Sequence, residues 1–133
     1  MKPTLVSSLS SSALLFGLVP AAAAALHSTV IETKYGPVQG YPAFNSTPTV
    51  NLTHWKDITV WKGIPFAATT GGQNRWKAPQ PASPWNTTLD ARSFGNVCPS
   101  AVSGNDYTID ENCLNLNIWS AAKSRHSKLP VVM

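Results

Sequence analysis

Charge is scarce in this chain. Of its 133 residues, 12% are Asp, Glu, Lys or Arg, against 43% that are hydrophobic. A disordered tail or a polynucleotide-binding module needs far more charge than this, so nucleic acid is not expected as a partner. The formal net charge of +4 is scattered. Its one local concentration, Lys123, Arg125 and Lys128 in "KSRHSK", reads as a solvated loop rather than an anion patch. Long apolar runs are missing too. The best candidate lies near the N-terminus, where the serines between Ser7 and Ser12 leave it short of the roughly 20 residues a membrane span requires. Cysteine is almost absent, with Cys98 and Cys113 alone. His27, His54 and His126 are far apart and share no metal-ligand spacing. Beyond the first 25 residues no helical period of useful length is present.

What the N-terminus does contain is a secretory signal pattern. Lys2 supplies a short positive region, Ala13 to Val19 an apolar core, and Pro20 with Ala21 to Ala25 several A-x-A cleavage options. Residues 1–25 are therefore expected to be removed, leaving a mature chain from about residue 26 with no stable membrane span. Three N-x-[ST] sequons, at Asn45, Asn51 and Asn86, fit an exported glycoprotein. An even cysteine count in an oxidising compartment favours a disulfide. Together these features predict a secreted, extracellular protein.

The mature region reads as strands separated by loops. "STVIETKYGPVQGY" predicts a β-hairpin, with residues 29–33 extended, Tyr35-Gly36-Pro37 turning, and residues 38–41 returning. Residues 58–61 form a further extended segment, ending at Gly63 and Pro65. Residues 67–110 carry repeated Pro and Gly breakers and no useful period. A loop of that length suits a chain draped over a larger body better than an autonomous domain. In "ENCLNLNIWS", Leu114, Leu116 and Ile118 alternate with Asn115, Asn117 and Trp119, the period of two of a strand with one apolar face. The last segment, residues 129–133, is apolar at nearly every position and reads as a strand buried on both faces of a parallel sheet. Strands without covering helices predict a truncated piece of a larger α/β protein. The tryptophans at 55, 61, 76, 85 and 119 are irregularly spaced, and packing is expected of them rather than ligand stacking.

Several motifs then coincide in order. "WKGIPFAATTGGQNRWKAPQP" holds Gly63-Ile64-Pro65-Phe66-Ala67, Gly72, Arg75-Trp76 and Pro79; "PWNTTLDARSFGNVCPS" leads to the first cysteine; "ENCLNLNIWS" carries the second. This succession resembles the N-terminal region of type-B carboxylesterases, the cholinesterase-like α/β-hydrolases that include secreted fungal lipases, and it extends from about Val30 to Met133. The chain departs from the pattern at Asn112, where an acid is usual, and at Ala121 and Ala122, where a proline follows the strand. The resemblance implies an α/β fold, here the N-terminal portion of an α/β-hydrolase over residues 26–133. It implies a Cys98–Cys113 disulfide that pins a loop of the active-site gorge rim. It implies an ion pair between Arg75 and Glu111. It implies a small-molecule or lipid ester substrate for the full-length protein, and no cofactor.

The chemistry of that class is not in this chain. An α/β-hydrolase needs a nucleophilic serine on a G-x-S-x-G elbow, an acid, a histidine and a glycine-rich oxyanion loop. No G-x-S-x-G occurs, Ser100 and Ser103 have no flanking elbow, and Gly71-Gly72 matches a turn. The three histidines read as surface-loop residues. No catalytic residue is expected here, and the chain alone is expected to be inactive. Two rival readings stay open: a non-catalytic, cholinesterase-like adhesion or binding protein, and a free-standing small secreted binding module.

Overall fold

The computed structural model describes residues 26–45, 55–100 and 107–133. Residues 1–25, read from sequence as a signal peptide, and Asn51, His54 and Ser103 lie outside the described residues. Six strands form two three-stranded sheets, β1-β2-β5 and β3-β4-β6. The strands are β1 (Val30–Glu32), β2 (Pro37–Gln39), β3 (Tyr41–Pro42), β4 (Thr59–Pro65), β5 (Leu89–Asp90) and β6 (Asn115–Ser120). The described helical segments are single 3₁₀ turns at Leu26–Ser28, Trp55–Asp57 and Gly72–Asn74.

The expected hairpin is present. β1 and β2 are antiparallel with Ile31 opposite Val38. Thr33 closes the turn, its Oγ1 donating to the Gly36 carbonyl at 2.7 Å and accepting the Tyr35 and Gly36 amide protons. Pro37 sits at the first position of β2, where a missing N–H is tolerated. β5 then joins β2 in parallel, with Val38 opposite Leu89.

Between the sheets lies a small core. Val38, Trp61 and Ala91 are buried, and Leu26, Ile31, Ile64, Trp85 and Leu89 pack on them. Removing a side chain of the size of Val38 from water contributes roughly 1.5–3 kcal/mol. Gly40 lets the chain cross from one sheet to the other beneath the Trp61 indole: a Cβ there would lie 2.5 Å from the ring. Trp85 is held by its indole N–H donating to the Pro37 carbonyl at 2.9 Å.

The longest pairing is antiparallel, between β4 and β6, and it is bulged. Trp61 faces Ile118 and Ile64 faces Leu116, so one extra residue of β4 stands between them. The expected extended segment, residues 58–61, is therefore longer than its sequence reading. β4 continues to Pro65, because Gly63 takes φ +65° and absorbs the extra residue. A bulge frees backbone donors from the ladder, and they need other partners. The Lys62 N–H donates to the Ala91 carbonyl at 2.8 Å and the Gly63 N–H to Asn117 Oδ1 at 2.9 Å.

Two further expectations are corrected. Residues 129–133 form no strand. Val131 and Val132 are 83% and 95% exposed, and no described strand offers that backbone a ladder. Apolar composition alone does not fix an extended chain without a neighbour. In β6 the expected apolar face is present: Ile118 lies opposite Trp61 and Leu116 opposite Ile64, and Ile118 shares a recess with Val38, Trp61 and Ile64, with both side chains still partly exposed. Asn115 and Asn117 alternate onto the other face, half-buried, where their amides serve the disulfide loop and the bulge. Packing accounts for Trp61, Trp85 and Trp55, the last meeting Phe44 edge-on, but Trp76 and Trp119 are 96% and 54% exposed.

Candidate functional site

The sequence-derived site residues converge where the irregular segment 66–82 meets the start of β6. Glu111 organises the junction through its backbone. Its carbonyl accepts the Thr70 hydroxyl at 2.6 Å and the Thr70 N–H at 3.3 Å. Its side chain reaches the other way, with Oε1 2.9 Å from Arg75 Nε. Both side chains are substantially exposed, so the pair orients the segment more than it stabilises it. Gly71 permits the close approach, since a Cβ there would lie 2.9 Å from Glu111 Oε2. A shallow recess of about 180 Å³ opens beside this contact, bounded by Thr70, Arg75, Trp76 and Glu111.

Two residues on, Cys113 is buried and joined to Cys98, with 5.0 Å between their Cα atoms. The disulfide has hydrogen-bonded company. Val97 N–H donates to Thr108 O at 2.8 Å, and Asp110 N–H to Val97 O at 3.1 Å. Asn96 Nδ2 donates to Asn112 O, and Asn115 Nδ2 to both Asn96 O and Cys113 O. Asn112 is exposed, with its N–H on Asp110 Oδ1. The structure thus brings together Arg75 with Glu111 and Cys98 with Cys113, at one end of β6.

The sequon asparagines are separate. Asn86 and Asn45 are both exposed, the first directly after Trp85 and the second directly after Phe44. Asn45 borders a cavity of about 250 Å³ with Tyr41, Val60, Lys62 and Arg92. There the Arg92 guanidinium lies 4.2 Å from the Tyr41 ring centroid. Hydrogen bonding to Tyr41 holds that guanidinium above its ordinary pKa, with Asp90 adding a smaller attraction.

The histidines do not gather. His126 is exposed in a turn. His27 is half-buried, which corrects its reading as a surface-loop residue. The Leu26–Ser28 turn docks on the sheets, and the His27 carbonyl accepts Gln39 Nε2 at 2.7 Å. Among the described residues, no group of three His, Cys, Asp or Glu side chains could hold a metal ion. The basic loop is solvated, with Lys123 3.4 Å from Asp57. Sequence reasoning missed the bulge and its Asn117 partner. The available signal was the Lys62-Gly63 step inside an extended pattern, since an isolated strand glycine marks a bulge.

A family model described as "Carboxylesterase family" matches residues 27–133. The para-nitrobenzyl esterase of Bacillus subtilis (strain 168) is 36% identical over 110 residues, which are 78% of this chain and 20% of that protein. The acetylcholinesterase of Electrophorus electricus is 33% identical over 115 residues, 77% of this chain and 17% of that one. A secreted lipase of Arthroderma benhamiae is 41% identical over 81 residues, 57% of this chain and 14% of its own length. A solved PNB esterase superposes with a TM-score of 0.57 at 31% identity, over 76% of this chain and 18% of that structure. The chain spans about a fifth of the length of the curated relatives it matches.

Proposed function

Because this chain belongs to the carboxylesterase family and has the N-terminal portion of an α/β-hydrolase fold, we propose that it is scaffold and gorge rim of a secreted carboxylic-ester hydrolase. In this reading residues 1–25 are a signal peptide and residues 26–133 the N-terminal part of the esterase domain. The full-length enzyme takes a small-molecule or lipid ester and passes through an acyl-serine intermediate. The serine, its acid, its histidine and the oxyanion loop belong to residues outside this chain.

One observation carries the assignment of roles. Segment 66–82 is fastened to Glu111 by two backbone-directed bonds and an ion pair, two residues before the disulfide. Such crosslinking suits a rim that must hold its shape around a substrate passage while contributing no reacting group. Export is supported by the signal pattern, the sequons and the disulfide. Among the described residues no helix is long and apolar enough to cross a membrane.

The test is the transcript beyond codon 133. A glycine-rich loop followed by a G-x-S-x-G elbow in the same frame is expected. A stop codon present in the mature transcript directly after Met133 would refute the enzyme reading.

A further inference from the structure

The cavity beside Asn45 has no part in the rim. It lies on the β3–β4 side of the body and is walled by Tyr41, Pro42, Val60, Lys62 and Arg92. At about 250 Å³ it is below the ~300–1,000 Å³ of pockets for drug-sized ligands, which makes it the size of a single sugar ring. Its chemistry is mixed in the way a sugar requires. Pro42, Val60 and the Tyr41 ring give apolar surface. Arg92 and Lys62 give several N–H donors, and the Tyr41 hydroxyl gives a donor and an acceptor. The two cations are not poised for a free anion: Arg92 lies on the Tyr41 ring and 3.9 Å from Asp90, and Lys62 Nζ is 4.4 Å from the Phe94 ring centroid. Arg92 spends part of its donor capacity on Tyr41, and its other N–H groups and those of Lys62 are left for an added acceptor. The wall also holds Ala43 and Asn45, and the Asn45 side chain opens the sequon Asn45-Ser46-Thr47.

We propose that the first N-acetylglucosamine of an Asn45-linked glycan is seated in this cavity, its acetamido and hydroxyl groups facing Arg92 and Lys62. The proposal rests on the reading of Asn45 as a used sequon. A sugar tethered at the cavity mouth binds at high effective concentration, so weak contacts suffice to hold it. The glycan then braces β3 and the segment that follows it, while a glycan at the exposed Asn86 serves as an unseated reference.

The test uses the chain secreted from a eukaryotic host and native digestion with peptide N-glycosidase, followed site by site by peptide mass. Release at Asn45 is expected to be at least about tenfold slower than at Asn86, because the enzyme must wait for the seat to open. After denaturation the two rates should coincide. Tyr41→Ala and Arg92→Ala should each bring native Asn45 release up to the Asn86 rate; a near-ultraviolet circular dichroism spectrum unchanged in the variants shows that they remain folded. Equal native rates at the two sites, with both occupied, overturn the seat alone. An unoccupied Asn45 in the peptide map overturns the sequon reading and the seat with it.

Discussion

The Asn117 carboxamide accepts the Gly63 amide proton at 2.9 Å, across 54 positions of sequence. This bond takes up a donor that the β4 bulge removes from the ladder, and it ties the family-like Gly63-Ile64-Pro65 stretch to β6. Asn117→Ala leaves that half-buried N–H without a partner and is expected to cost about 1–3 kcal/mol. Urea unfolding would measure it. Gly63→Ala is expected to cost at least about 1–2 kcal/mol from the left-handed backbone alone. Its Cβ also meets the Ser93 carbonyl at 2.9 Å, which adds to the loss.

The disulfide closes a 15-residue separation. The exported chain is expected to lose two mass units on oxidation relative to its reduced form, one disulfide's worth. Replacing both cysteines by serine is expected to cost about 3 kcal/mol in the chain-entropy picture. Two thiols that alkylate without reductant would contradict the assignment.

Arg75 and Glu111 touch in the open, and their coupling should be small. A double-mutant cycle on Arg75→Ala and Glu111→Ala is expected to give less than about 1 kcal/mol, falling with added salt. Gly71→Ala should do more harm than either, because it forces the Glu111 side chain out of the space it occupies. A cycle energy well above that bound, insensitive to salt, would show that the pair is the fastening and the backbone bonds to Glu111 are secondary.

Apolar surface lies open along Leu116, Ile118 and Trp119 and along Leu129, Val131 and Val132. Patches of this kind template association. The chain expressed by itself is expected to run as mixed oligomers in size exclusion and to bind a hydrophobic dye. Ile118→Thr with Trp119→Gln should reduce both signals. A soluble monomer with a sharp cooperative melt in the unsubstituted chain would favour the free-standing binding module instead.

Local chemistry made part of this legible in sequence. Tyr35-Gly36-Pro37 announced the hairpin because turn preferences act over four residues. The alternation in "ENCLNLNIWS" announced β6 and its apolar face, which lies opposite Trp61 and Ile64. Which partners the other face takes is beyond such a pattern, since a bulge 54 residues away claims an asparagine amide there. Residues 129–133 show the same limit: an apolar run states what a segment tolerates, while a strand also needs a neighbour. Cys98 and Cys113 form the one pair two cysteines allow, whereas the contact of Arg75 with Glu111 was reached through family-like motifs, since neither spacing nor charge selects those partners. The cavity at Asn45 was invisible in sequence, being assembled from three separate segments.

The central claim is that this chain is esterase scaffold without esterase chemistry. The most direct measurement is hydrolysis of a p-nitrophenyl ester by the purified 133-residue chain, with and without a serine-directed inhibitor. The expected result is release at the buffer rate, unchanged by the inhibitor. Turnover above that background, abolished by the inhibitor, would place a working nucleophile inside these residues and contradict the account.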